Sequence, residues 1–467
     1  MTSEPRLSPR LVLAVLSLAA FMASLDLFIV NVAFKDIGRD FGNTPIANLS
    51  WVLNGYAIVY AAALVPLGRL ADRFGRKAGF LVGLALFTIA SGACAASNGL
   101  WMLVTFRVLQ AVGAALLTPT SMALLINATP VEARSKAIRI WSASAALAAA
   151  AGPVVGGLLV VSSWRLVFLV NLPIGVIAFL AAVRWVPEMR DTVAGSMPDL
   201  FGAAQLAFSI GALALALVKG NDWGWSSPAV IVTLALAVAS LRWFWIRSRH
   251  HESPVVEPAL LRVRTFAWAN VAVLAFSVGF AANLLANVLW MQNVWGYSSL
   301  RTGLGVAPGP LMVLLCSLIA QSVSQRISVG RIAAIGCTLC GLGELTMLLS
   351  VGQNPSYLTQ MLPGWLMFGA GVGFALPTML SVATVGLPPS RSATGSAVVT
   401  MGRQVGSVFG VSVLVALLGH SANYEGTHLG FQRAWMAAAA GAILAAFAAL
   451  GMSETRKAET AMPAQAA

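Results

Sequence analysis

Four charged side chains stand inside long apolar runs of this sequence: Asp26, Arg107, Glu344 and Arg403. A charge held in hydrocarbon costs about 3 kcal/mol or more, so it is retained where it carries a proton, binds an ion or meets its opposite. The two acids are candidate proton carriers, and the two arginines can hold a carboxylate or another anion. Asp26 lies seven residues from the end of a run at 11–33, roughly 10 Å in at the helical rise. Arg107 lies six residues into a run at 101–125, roughly 9 Å from its start. If the two runs cross a bilayer in opposite directions, the two charges share a depth. Across one aqueous cavity they would compete over a proton: protonating Asp26 frees Arg107, and a cation reaching Asp26 displaces the proton. The other reading is an ion pair that only fixes helix packing. Glu344 sits thirteen residues into a run at 331–351, roughly 19 Å deep. It reads either as a second coupling acid or as a neutral, hydrogen-bonded one.

The elements that must position these residues follow from composition. Of 467 residues, 58% are hydrophobic and 10% charged, with a mean hydropathy of +0.82, more than one soluble core buries. Runs near the length that crosses about 30 Å of hydrocarbon recur throughout, and only helices satisfy their own backbone there. Fourteen spans are expected, at 11–33, 49–67, 78–97, 101–125, 137–160, 166–186, 200–218, 228–247, 266–292, 301–323, 331–351, 358–380, 394–418 and 432–452. The fold class is therefore an all-α polytopic membrane protein. An even number of spans puts both termini on one side. With that side cytoplasmic, 21 of the 29 Lys and Arg residues fall in inner segments and six in outer ones, as the positive-inside rule requires. The net charge of +13 follows from this bias and is no nucleic-acid footprint.

Several chemistries are excluded. No G-x-x-x-x-G-K-[ST] occurs, so a built-in ATPase is not expected, and the energy source is an ion gradient or the substrate's own gradient, without a cofactor. The four cysteines (Cys94, Cys316, Cys337, Cys340) fall inside spans and read as small core residues. The histidines are sparse, so neither a metal site nor a membrane enzyme with loop acid or histidine clusters is expected.

Motifs then sharpen the reading. Gly68-Arg69-Leu70-Ala71-Asp72-Arg73-Phe74-Gly75-Arg76-Lys77 resembles the gating signature that major facilitator superfamily carriers place between their second and third helices. Ser24-Leu25-Asp26-Leu27-Phe28-Ile29-Val30-Asn31-Val32-Ala33 resembles the D-x-T-I-V-N-V-A element of the drug/proton antiporter family with fourteen spanners, with Phe28 at the threonine. Arg107-Val108-Leu109-Gln110-Ala111-Val112-Gly113-Ala114 is similar to that family's R-x-x-Q-G-x-G-A. Gly152-Pro153-Val154-Val155-Gly156-Gly157 resembles its antiporter motif. Trp164-Arg165 through Asn171-Leu172-Pro173-Ile174-Gly175 resembles its entry to helix 6, Asp199-Leu200-Phe201-Gly202 the start of its central pair, and Arg403-Gln404-Val405-Gly406 its penultimate helix. Ser324 to Arg331 echoes the gating signature with Gln325 at the acid, as internal repeats of such carriers do.

The resemblance implies a major facilitator fold of fourteen helices arranged 6+2+6. Its parts would be an N-terminal bundle at 1–186, two inserted helices with linkers at 187–265, a C-terminal bundle at 266–452 and a cytoplasmic tail at 453–467. It implies proton-coupled export of drugs or other amphipathic, cationic small molecules by alternating access, in the plasma membrane, by a monomer. Asp26, Arg107 and Glu344 are then the coupling candidates. Gly68, Asp72, Arg73, Gly75, Arg76 and Lys77 form the gate, and Gly152, Pro153, Gly156 and Gly157 the antiporter motif. Asn31, Asn54, Tyr56, Gln110, Asn283, Asn287 and Arg403 are candidate cavity residues, since mixed amide and aromatic surfaces suit bulky amphipathic ligands. The partners expected are the substrate, protons and lipid, without nucleic acid. Competing readings are a dedicated exporter of one metabolite or self-made antibiotic, a non-transporting membrane sensor, and a membrane enzyme acting on lipid substrates.

Overall fold

The computed structural model describes residues 9–188, 196–385, 387, 391–419 and 423–452. The tail expected at 453–467, and part of the linker expected after 186, lie outside the described residues.

Among the described residues fourteen helices are long and apolar enough to cross a membrane. They are α1 Pro9–Asp40, α2 Ile46–Phe74, α3 Arg76–Ala95, α4 Leu100–Ala128, α5 Val131–Val160, α6 Leu166–Trp185, α7 Leu200–Trp223, α8 Pro228–His250, α9 Arg264–Val294, α10 Ser299–Val323, α11 Val329–Ser350, α12 Tyr357–Ser381, α13 Thr394–Leu418 and α14 Tyr424–Leu450. Among the described residues there is no strand.

Their starts are written in capping chemistry. Asp199 accepts from the Gly202 N–H before α7, Ser227 from Val230 with Pro228 at the first position of α8, Ser298 from Arg301 and Asn423 from Gly426. Each satisfies a donor that the first helical turn leaves open.

One boundary differs from the sequence expectation in a way that matters. α1 runs on to Asp40, not to Ala33, because nothing between them breaks a helix. The chain turns only at Gly42 and Asn43, with φ of 77° and 58°, a conformation that glycine and asparagine tolerate best. Asp26 therefore stands near the middle of its helix rather than two turns from its end.

The chain forms two compact units. One comprises Met1–Val255 with Asn287–Ala307; the other comprises Val256–Ala286 with Pro308–Ala467. In the first, α5 packs along α1, α4 against α2 and α3, and α6 against α1 and α3. Of the two central helices, α7 packs on α2 and α8 packs on α7. Only 17% of the apolar window of α8 is buried, so it presents most of its surface outward. The first unit also contains the last turns of α9, including a π-helical turn at Trp290–Val294, and the first two turns of α10 up to the break at Ala307–Pro308. In the second unit α11 packs on α12 and α14, and α12 on α10.

Candidate functional site

In the first unit four helices converge on one carboxylate. α1 supplies Asp26, fully buried at 0% exposure, and α4 supplies Arg107 at 1%. The Arg107 Nη1 donates to Asp26 Oδ2 at 2.5 Å and to Gln110 Oε1 at 2.8 Å, one helical turn away on the same face. Gln110 Nε2 closes the triangle by donating to Asp26 Oδ1 at 2.8 Å. From α6, Asn171 Nδ2 donates to the same Oδ1 at 3.1 Å and to Ser91 Oγ of α3 at 3.0 Å. Ser91 in turn donates to the Phe168 carbonyl at 2.8 Å.

The arginine is held from its other sides as well. Its Nε donates to the Val52 carbonyl of α2 at 3.3 Å. Its guanidinium lies 4.1 Å from the ring centroid of Tyr56 and 5.8 Å from that of Phe168, within cation–π reach. The sequence reading placed the pair on an aqueous cavity; here both charges are enclosed. The reason is that the donors of Arg107, Gln110 and Asn171 and the rings of Tyr56 and Phe168 surround the carboxylate and guanidinium. Asn171 and Ser91 were not singled out as site residues from sequence. The signal was present in the W-R to N-x-P stretch, which read only as a helix entry.

What brings α1 close is α5. A Cβ built on Gly152 would lie 2.9 Å from the Phe28 Cβ, and one on Gly156 would lie 2.9 Å from the Ile29 carbonyl oxygen, so only glycine admits this approach. These contacts fall two and three residues beyond Asp26. Gly157 and Pro153 face the other way, against Ser299, Leu300 and Gly303 at the start of α10. At the far end of α1, Asp40 accepts from Trp164 Nε1 at 3.0 Å and Arg165 Nη1 at 2.6 Å. Lys35 donates to the Gln292 carbonyl, Gln292 Nε2 to the Val32 carbonyl at 2.9 Å, and Ser299 Oγ to Asp36 at 2.5 Å.

The gating motif forms a tight corner. Gly75 takes φ 127° between α2 and α3, which a side chain would resist. Arg76 Nε donates to Asp72 Oδ1 at 2.6 Å, Lys77 Nζ to the Val183 carbonyl at 2.8 Å, and Arg69 to Ser253 Oγ at 2.7 Å and the Pro254 carbonyl at 2.9 Å. A Cβ at Gly68 would meet Pro119 of α4 at 3.2 Å. Arg73 points toward the exposed Phe74 ring.

The remaining candidates are dispersed. Asn31 is turned back on its own helix, donating to the Leu27 and Phe28 carbonyls at 3.1 and 3.4 Å. Asn54, Asn283 and Asn287 are buried, and neither amide atom of Asn283 has a hydrogen-bond partner among the described residues. Asn287 belongs to the first unit and Asn283 to the second. Arg403 is half-exposed while its neighbour Gln404 is buried. Glu344 is fully buried in the second unit, and neither carboxyl oxygen meets a donor among the described residues. Of the two readings of Glu344, coupling acid or hydrogen-bonded acid, the second has no donor among the described residues: Gly341 and Gly343 draw α14 and α12 close to α11 without offering a polar side chain.

Fourteen membrane-length apolar helices among the described residues, with a carboxylate–guanidinium network buried in the first unit, mark a polytopic membrane protein. The family model described as Major Facilitator Superfamily matches residues 16–199 and 200–411, and the chain belongs to that superfamily of transporters. It is 32% identical over 87% of its length, and 75% of the relative's, to the multidrug resistance protein Stp of Mycobacterium tuberculosis. It is 29% identical over 94% of its length, and 92% of the relative's, to the methylenomycin A resistance protein of Streptomyces coelicolor. Among solved structures, a POT family transporter in complex with a thioalcohol-conjugated peptide superimposes with a TM-score of 0.69 over 93% of this chain and 94% of that one at 16% identity. A D-xylose-proton symporter gives 0.68 over 94% and 96% at 14% identity. At those identities the likeness concerns the fold.

Proposed function

We propose that this protein is a proton-coupled exporter of drugs or other amphipathic, cationic small molecules, an antiporter that works by alternating access in the plasma membrane with both termini cytoplasmic. The names of its relatives supply the export of antibiotics and drugs. The observation that carries the coupling is the Asp26–Arg107–Gln110–Asn171 network: a carboxylate sealed in protein, balanced by one cation and two amides. One proton added to it leaves an unbalanced buried cation, and a buried unbalanced charge drives rearrangement. A central pair, α7 and α8, inserted in the sequence between two six-helix stretches completes the reading, and Asn287 in one unit and Asn283 and Arg403 in the other are each kept as separate candidates for substrate contact. The protein acts as a monomer, with the proton gradient as its energy source and no cofactor.

Because Asp26 is enclosed, substrate and proton do not meet at the same atoms in this conformation, and the exchange works through the arginine. Glu344 meets no hydrogen-bond donor among the described residues and is given no part in this scheme. The test is efflux of ethidium from vesicles under an imposed proton gradient. Wild type exports it in a gradient-dependent manner and Asp26→Asn does not. Gradient-dependent efflux surviving in Asp26→Asn refutes the assignment. A narrow substrate profile in the same assay would instead favour an exporter dedicated to one antibiotic, a role that the name of the Streptomyces relative suggests.

A further inference from the structure

Of the three groups bonded to Asp26, each differs in what it can do when the carboxylate takes up a proton. The new O–H must donate, and the site is built of donors. Arg107 has no acceptor atom at all. Gln110 has one, but its Oε1 already accepts from Arg107 Nη1 at 2.8 Å and faces the Cys94 thiol. Asn171 alone has an acceptor in reserve: its Oδ1 is buried and has no hydrogen-bond partner among the described residues. The torsion that carries a terminal amide is broad and two-fold, so a half-turn exchanges its oxygen and nitrogen within the same volume.

We infer that Asn171 is a two-way partner of Asp26, donating through Nδ2 to the carboxylate and, after a half-turn of its amide, accepting through Oδ1 from the carboxyl O–H. It is a positioning residue, and the inference rests on Asp26 being the proton acceptor. The step balances: one proton from the aqueous phase binds Asp26 Oδ1, no covalent bond breaks, and the network gains one positive charge. Ser91 follows the change, because a hydroxyl both donates and accepts. It accepts from Nδ2 now while its own hydrogen goes to the Phe168 carbonyl; afterwards that hydrogen turns from Phe168 to Oδ1, and the Phe168 carbonyl gives up this bond. The consequence is directional. Protonation weakens the tether from Asp26 to α4 through Arg107, while the tether to α6 through Asn171 survives in reversed polarity. The helix whose charged hold is lost is therefore α4, which keeps only the neutral Gln110 hydrogen bond to Asp26. The other titratable or charged groups facing this cluster are Tyr56 of α2 and Cys94 of α3.

The experiment uses the full chain in lipid nanodiscs and infrared difference spectra between acid and alkaline pH, with asparagine carrying a carbon-13 side-chain carbonyl. In wild type, protonation of Asp26 should bring up a carboxyl C=O band lost in Asp26→Asn. With it, one asparagine carbonyl band should shift to lower wavenumber as Oδ1 gains a donor. Asn171→Leu should remove the asparagine shift and move the Asp26 carboxyl band to higher wavenumber, since its O–H loses an acceptor. The pH profile of efflux should be displaced by about half a unit or more. Should Asn171→Leu fail to fold, the labelled wild-type spectrum decides by itself. An Asp26 band without any asparagine shift overturns the role of Asn171 and leaves the proton site standing. Proton-dependent efflux and an unchanged carboxyl band in Asp26→Asn overturn the proton site itself.

Discussion

Replacing Arg107 by leucine removes the one cation that, among the described residues, touches a carboxylate at 0% exposure. At roughly 4 Å between charge centres and an effective dielectric near 20, the attraction lost is about 4 kcal/mol. That agrees with the 3–5 kcal/mol, approximately, that breaking a buried pair from one side costs. Gln110 Oε1 and the Val52 carbonyl each lose a donor as well, about 1 kcal/mol apiece. Asp26→Leu should cost a comparable amount by stranding the guanidinium. The double variant Asp26→Leu/Arg107→Leu strands neither charge, so it should be far less unstable than the sum of the two. A thermodynamic cycle of reversible unfolding in mixed micelles should therefore give a coupling energy of about 3 kcal/mol or more. A coupling below about 1 kcal/mol, the range of solvent-exposed pairs, would refute the claim that the pair is sealed, and with it the argument that a proton unbalances the site.

Gly156→Val sets a side chain within 2.9 Å of the Ile29 carbonyl; it should cost about 1–3 kcal/mol as an overpacking change and abolish export, measured by unfolding and by vesicle efflux, with Gly156→Ala milder in both. Arg165→Ala should change stability by less than about 1 kcal/mol, because its pair with Asp40 is 35% and 43% exposed, whereas Trp164→Ala at 4% exposure should cost about 3 kcal/mol or more. Glu344→Leu should leave proton-dependent efflux intact and raise unfolding stability by about 1 kcal/mol or more, since it removes a buried polar group with no hydrogen-bond partner among the described residues; loss of gradient dependence in that variant would return Glu344 to the coupling scheme.

The helical class was legible because hydrocarbon allows few alternatives: a run of some twenty apolar residues has to be a helix, and fourteen such runs became fourteen helices. That Asp26 could meet Arg107 was expected from depth arithmetic on charges in the first and fourth spans; the pair forms, although α1 runs seven residues beyond the end that the arithmetic assumed. Two things were hidden, each for a physical reason. The length of α1 was underestimated because Lys35, Asp36 and Arg39 looked like the start of a loop, whereas Lys35 and Asp36 find partners on the Gln292–Ser299 segment. The share of Asn171 in the site was hidden because a neutral amide carries no cost signature in a hydropathy reading. An aspartate in an apolar run announces itself; the asparagine that completes its shell does not. The enclosure of the pair was likewise out of reach, since it depends on Tyr56, Phe168 and the glycines of α5 arriving from other helices.

The membership of residues 287–307 in the first unit has a consequence for anyone who divides this protein. A gene cut in the segment before α9 would yield an N-terminal fragment that lacks a stretch of its own packing surface. Gly157 would face empty space where Ser299 and Leu300 belong, and Lys35 and Asp36 would lose their partners. Separately made halves would thus be incomplete until they met, and reconstitution from two genes should succeed only when both are synthesised together. A fragment from the N-terminus made alone should be degraded, because the chain's numbering and its packing assign the same twenty-one residues to different halves.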